Sequence, residues 1–202
     1  MSPRRRPNRA RRAFTAVEMV IALALAGIVV GNLLLVLSDT RERFASQSLS
    51  KDVDAAARRA LDRIALQIQG AVRSQLYSPV GAPLSSDSIN YTSVVGTQNG
   101  EPIVSPPQRI ALSQDPKSSV TWYQNPGQSS EMRVVWARDL RDFCAGEVLN
   151  GVDDNGNGLV DEKGLAFEVE GAMVRITLTL ERIGPDGQVV TKTLETRVTC
   201  RN

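Results

Sequence analysis

The chain has 202 residues, 24 Lys and Arg against 22 Asp and Glu, no histidine and a formal charge of +2. That length suits one ectodomain of ordinary size with a real core plus a membrane anchor. The lack of histidine removes the usual general base and the commonest zinc ligand, and no nucleophile motif accompanies the Ser, Asp and Glu residues, so the composition argues against an enzyme.

The charge is unevenly placed. Six arginines (Arg4, Arg5, Arg6, Arg9, Arg11, Arg12) crowd the first twelve residues with no acid among them. Taking those six from the 24 basic residues leaves 18 against 22 acidic ones, a balance of −4, so no nucleic-acid-binding surface is written in the bulk charge of the remainder. Residues 13–37 follow as an apolar run long enough to cross a bilayer as a helix, with Glu18 as the one ionisable side chain. Basic residues before such a run hold the N-terminus in the cytoplasm, which places the chain beyond about Ser38 outside it. A cleaved secretory signal has a shorter apolar core and a small-x-small site at its end, and Val36-Leu37-Ser38-Asp39 supplies none. A plain signal anchor fits the length but leaves Glu18 unexplained, because a charge inside a membrane costs at least a few kcal/mol unless it is paired or reaches the interface.

Phe14-Thr15-Ala16-Val17-Glu18, behind a basic stretch that ends in the small residue Ala13, resembles the prepilin signal of type IV pilins and type II secretion pseudopilins. The resemblance is strong only over the first thirty-odd residues. It implies a leader over 1–13, cleavage between Ala13 and Phe14 by a membrane-embedded prepilin peptidase, and N-methylation of Phe14. It also implies that residues 14–37 stay in the mature protein as the transmembrane, assembly half of a helix. Glu18 would then pair with the Phe14 ammonium of its own or a neighbouring subunit and set the register of assembly, since opposite charges attract more strongly in lipid than in water. Two departures stand out: family leaders usually end in Gly rather than Ala13, and many major pilins carry a proline in the stretch matching Val30-Gly31-Asn32-Leu33-Leu34-Leu35-Val36, which has none. The second leans toward a minor pilin or pseudopilin.

Residues 38–77 continue the helical pattern. Phe44, Leu49, Val53, Ala56, Ala60, Ile64, Ile68, Val72 and Leu76 recur at helical spacing, with charges on much of the opposite side and no proline between Pro7 and Pro79, so one continuous helix over 14–76 is expected. The stretch 78–107, rich in Ser, Gly, Pro and Asn, reads as a variable loop with one short strand over 89–95. The β-rich ectodomain, 108–202, then shows short strands over 108–112, 120–124 and 132–137, and an alternating strand 172–183 that turns at Gly184-Pro185-Asp186-Gly187 into an antiparallel partner over 189–199. Trp122, Tyr123 and Trp136 read as core or sheet-face residues. The class is α+β: a long N-terminal helical spine, its first half transmembrane, packed on a C-terminal antiparallel sheet domain, which is also the pilin-like architecture that the resemblance implies.

Cys144 and Cys200 have neither CxxC nor zinc spacing, and in an extracytoplasmic domain a disulfide between them is the simplest expectation. A bridge there also matches the family, in which one often ties the chain's end to its body.

Between these cysteines, Asp153, Asn155 and Asn157 followed by Gly158 reproduce the first half of an EF-hand-type loop. Alternate oxygens can converge on one hard cation, and glycine allows the turn that aims the Leu159 carbonyl inward. Gly164 stands where the closing twelfth-position Glu would be, so Asp161 and Glu162 are expected to close the site over 153–162, as in the shorter calcium loops of dockerin-like and thrombospondin-like repeats, which this loop resembles. Calcium is the expected cofactor, in a structural role.

The first functional expectation is a structural subunit, a minor pilin of the W type or a type II secretion pseudopilin of the J type. Such proteins tend to sit at or near filament tips and help initiate assembly. Its partners would be other pilin or pseudopilin subunits, the prepilin peptidase and the inner-membrane assembly platform. Its location would be the bacterial inner membrane, crossed once with the C-terminal domain outside, and then a periplasmic or extracellular filament. A major pilin, or an adhesin or DNA-uptake pilin, is the alternative within this class. A monomeric extracytoplasmic binding domain on a plain signal anchor is the alternative outside it.

Overall fold

The computed structural model describes residues 15–78, 83–114, 117–185 and 187–200, with side chains described outside 38–45. The chain divides into two compact units, Met1–Ala45 and Ser46–Asn202. Its class is α+β: helix α1 (Ala16–Gln69), a 3-10 turn (Arg73–Gln75), and strands β1 (Ser88–Tyr91), β2 (Val94–Gln98), β3 (Glu101–Val104), β4 (Gln108–Ser113), β5 (Ser119–Gln124), β6 (Met132–Arg138), β7 (Leu165–Glu170), β8 (Met173–Ile183) and β9 (Val189–Thr199).

In the first unit, α1 carries the segment Ala16–Leu37, with a mean hydropathy of 2.8 and none of its length buried. It is long and apolar enough to span a membrane or serve as a signal anchor. A helix satisfies its backbone hydrogen bonds internally, so an apolar surface on every side is stable in hydrocarbon.

In the second unit, α1 becomes amphipathic. Val53, Ala57, Ala60, Leu61, Ile64 and Ile68 are buried at spacings of one to four residues, while Lys51, Asp52, Arg58, Arg59, Asp62 and Arg63 are exposed. Ala57 and Ala60 keep that face shallow, and Ile64 and Ile68, both fully buried, enter the cluster formed by Ile89, Ile110, Phe167, Ile176 and Leu178. Burying each such side chain stabilises the fold by roughly 1.5–3 kcal/mol.

The helix is shorter than the 14–76 expected. It stops at Gln69, where Gly70 costs a helix more conformational entropy than any other residue except proline's steric penalty. The following backbone pairs with strands instead: the Val72 amide donates to the Thr92 carbonyl at 2.8 Å, and Tyr77 and Asn90 exchange two bonds of 3.0 Å. Val72 and Leu76 therefore fall outside the helix, and the helical part ends as α1 plus one separate short turn.

All strand pairs are antiparallel, in sheets ordered β1-β4-β5-β6, β2-β3 and β7-β8-β9. The stretch 78–107 holds three strands where a loop with one was expected. The β2-β3 hairpin closes on Asn99-Gly100, at φ 55° and 85°, the left-handed pair that a tight two-residue hairpin demands. The expected strands from 108 onward are present, and β8 and β9 pair over their whole length, from Met173 opposite Thr199 to Ile183 opposite Val189.

Strand β7 was not foreseen, and it joins two of the sheets. Ser86, just before β1, exchanges bonds of 3.0 and 2.7 Å with Phe167 of β7, and Leu140, just after β6, bridges to Leu180 of β8. On β8, Val174, Ile176, Leu178 and Leu180 form one buried face as expected, but Thr177 and Thr179 are buried too: 139–141 continues the ladder beside β8, and Cys144 lies against the Thr179 hydroxyl. Trp122 and Trp136 stack at 6.2 Å on the sheet, with the Arg63 guanidinium 4.9 Å from the Trp136 ring. The Trp122 indole donates to the Tyr91 hydroxyl at 3.0 Å, and burial pushes that phenol far above its usual range.

The disulfide expected between Cys144 and Cys200 is absent: both are free, buried thiols. Cys144 Sγ accepts a 3.5 Å bond from Thr179 Oγ1, whereas the Cys200 amide donates to the Ala172 carbonyl at 2.9 Å. Positions 172 and 179 are separated by about 20 Å of extended chain at roughly 3.3 Å per residue. A disulfide needs Cα atoms within about 7 Å.

Candidate functional site

Two places carry the chemistry that the sequence singled out, one in each unit. In the first unit, the processing residues Ala13 and Phe14 lie outside the described residues. The described chain begins with Thr15, and there Glu18 has a local partner. The Thr15 amide and hydroxyl donate to Glu18 Oε2 at 2.9 and 3.1 Å, and the Glu18 amide donates back to Thr15 Oγ1 at 3.3 Å. This is a capping box: the threonine caps the helix and the acid three positions on returns to satisfy the cap's own amide. The lone carboxylate thus has a structural use that sequence reasoning missed, although the Thr-x-x-Glu spacing was there to be read.

In the second unit, the acidic loop folds through turns that its own side chains hold. Asp153 Oδ1 accepts the Gly156 and Asn157 amides at 2.6 and 3.2 Å, and Oδ2 accepts the Gly158 amide at 2.8 Å. These bonds, the Gly158 one foremost, hold the Asp153 carboxyl below its ordinary range. Gly158, at φ 90°, makes the sharp turn, and Leu159 is buried beyond it. Asp161 instead accepts the Asn150 and Gly151 amides, at 2.8 and 3.0 Å, across the mouth of the loop.

The remaining polar groups converge on buried carboxylates. Asn155 and Asn157 donate through their amide groups to Glu162 Oε2 at 3.1 and 2.7 Å. Glu162 is fully buried. A second buried acid, Glu147, lies six residues before the loop, and its Oε1 accepts the Asn155 backbone amide at 3.0 Å. Cys144 locks the two glutamates into place: its amide donates to the Glu162 carbonyl at 2.8 Å and its carbonyl accepts the Glu147 amide at 3.0 Å. Burial pushes the Cys144 thiol up, the Thr179 hydroxyl opposes this, and the two neighbouring carboxylates push it up further.

The structure thus brings Asn155, Asn157 and Glu162 together, adds Glu147, and gives Asp153 and Asp161 backbone partners of their own. No three side chains from His, Cys, Asp and Glu form a metal-holding group among the described residues. The convergence is of two carboxylates with two amides. Glu147 was missed because nothing local in Ala145-Gly146-Glu147-Val148 distinguishes a buried acid from a surface one.

Gly164 explains why the loop departs from the EF-hand pattern at its twelfth position. A Cβ there would stand 1.9 Å from the Arg141 carbonyl oxygen, and the Gly164 carbonyl accepts the Thr179 amide at 2.7 Å. No side chain fits at 164 without moving the Arg141 backbone.

No protein-family model, curated protein or solved structure matches this chain.

Proposed function

We propose that this chain is a prepilin-like structural subunit, a minor pilin or pseudopilin that is processed at Phe14 and packs through its leading helix into a filament. The observation that carries the reading is the sequence Phe14-Thr15-Ala16-Val17-Glu18 at the junction of an arginine-rich start and the unburied apolar segment Ala16–Leu37. That surface has to be covered by lipid or by like helices, and a filament of parallel subunits supplies the second as well as the first. The ectodomain supports a scaffold role: its buried side chains form one core between α1 and the sheets.

The capping box fits the same reading. Cleavage after Ala13 would leave Phe14 as the N-terminus, one residue before the cap, and its ammonium would lie within a helical turn of the Glu18 carboxylate that Thr15 now occupies. Within a subunit or between subunits, that pair would neutralise the one ionisable group of the segment. In this reading the chain lies in the inner membrane with the residues beyond about Ser38 outside the cytoplasm, among subunits of its own class.

Crosslinking in intact membranes followed by purification through a C-terminal tag tests the proposal. It predicts ladders in which the chain is joined to other single-span proteins of similar leading sequence. A product that stays monomeric at every crosslinker dose favours the anchored binding domain instead.

A further inference from the structure

Glu147 and Glu162 each keep one side-chain oxygen, Oε2 and Oε1 respectively, buried and without a hydrogen-bond partner. The residues are 1 % and 0 % exposed, and among the described residues neither forms an ion pair with Lys or Arg. The nearest basic residue in sequence, Lys163, places its ammonium 3.9 Å from the centre of the Phe143 ring. Two buried carboxylates tied to one asparagine, with an orphaned oxygen each, are costly unless a positive charge lies between them. Their environment offers oxygens and amides but no nitrogen base or thiolate, which suits a hard cation.

We propose that a calcium ion binds between Glu147 and Glu162, with the loop 153–158 folded over it. The orphaned Glu147 and Glu162 oxygens supply the two charges. The Asn155 and Asn157 side-chain oxygens, which accept the Asn157 and Leu159 backbone amides at 3.0 and 2.9 Å, each keep a second lone pair for the ion. Asp153 holds the turn through the Gly156, Asn157 and Gly158 amides. Glu147 therefore does the work that a twelfth-position Glu does in an EF-hand, because Gly164 leaves no room for one. Calcium takes six to eight oxygens and tolerates irregular geometry, whereas magnesium demands a near-ideal octahedron, so calcium is the better match. The ion would tie residues 144–147 to 153–162. This proposal concerns the second unit alone and does not depend on the filament reading.

The test uses the full chain in detergent micelles, stripped of metal, with calcium chloride as the probe. Calorimetry is expected to show one calcium per chain with a dissociation constant on the order of 10⁻⁴ M, as in extracellular modules, and much weaker magnesium binding. Glu147→Gln should weaken calcium binding at least about tenfold, as loss of a charged ligand does, while Asp154→Asn, at an exposed acid bonded to the Asn150 side chain, should leave it within about twofold. The wild type needs no variant for a second arm: calcium should raise its melting temperature and a chelator should reverse the rise. No calcium heat together with an unchanged melting temperature overturns the proposal. Equal calcium affinity in Glu147→Gln overturns the assignment of Glu147.

Discussion

Thr15 and Glu18 bond to each other in both directions across the first turn of α1, so the only ionisable group of the apolar segment Ala16–Leu37 is held within its own helix. A cap of this kind is worth about 1 kcal/mol. A carboxylate that also neutralises an amine in a filament is worth more than its cap. Thr15→Ala should therefore reduce incorporation into assemblies only slightly, while Glu18→Ala should nearly abolish it with processing intact. Quantifying each variant in sheared or crosslinked assemblies against its membrane level checks this. Equal effects would reduce Glu18 to a helix cap.

Gly164 is fixed by the Arg141 carbonyl. A Cβ 1.9 Å from a backbone oxygen forces the chain to move, and overpacking of this sort costs about 2 kcal/mol or more, which lowers the melting temperature of a protein of this size by roughly 4–8 °C. Gly96→Ala, where nothing lies within 4 Å, should change it little. Differential scanning calorimetry of the two variants makes the comparison.

The second half of α1 belongs to the core of the second unit. Ile64→Ala should cost about 2–5 kcal/mol, because Ile64 is fully buried, while Leu66→Ala, at a position 67 % exposed, should stay within about 0.5 kcal/mol. Urea titration of both variants checks the contrast. A small loss at Ile64 would mean that the helix is dispensable to the sheets.

Asp54 gives the fold a pH dependence. Its carboxylate accepts the Arg58 guanidinium at 2.7 Å and meets the Lys192 ammonium of β9 at 3.2 Å, and these partners, Arg58 first, hold its carboxyl below the ordinary value of 3.8. A lowered folded-state value stabilises the fold above the unfolded value and loses that contribution as pH falls through the folded one. The melting-temperature difference between wild type and Asp54→Asn should thus be constant from neutral pH to about pH 5 and vanish in stronger acid. A difference that survives at pH 2 would have another origin.

Much of the fold could be read from the sequence where one periodicity ran unopposed. The two-residue alternation of 173–183 and the turn after it carried β8 and β9, and the buried spacing from Val53 to Ile68 carried the helix. The helix end was misplaced because the apolar spacing of Val72 and Leu76 persists after Gly70, and only the strand partners Thr92 and Asn90 show where the backbone bonds go. Polar composition hid β3 and the break that divides the one strand expected over 89–95 into β1 and β2, although Asn99-Gly100 was a hairpin signal in plain view. The cysteines looked like a pair because sequence distance says nothing about which end of β8 each one meets. At the acidic loop, the motif located the turn and its asparagines, but Glu147 becomes visible only as a buried oxygen without a partner.

The identity of the first residue of the mature chain bears most directly on the account. Mass spectrometry of the N-terminal peptide, from protein purified out of membranes that contain the native processing machinery, should find N-methylated Phe14. A chain that begins at Met1 or Ser2, with its six arginines still attached, would contradict it.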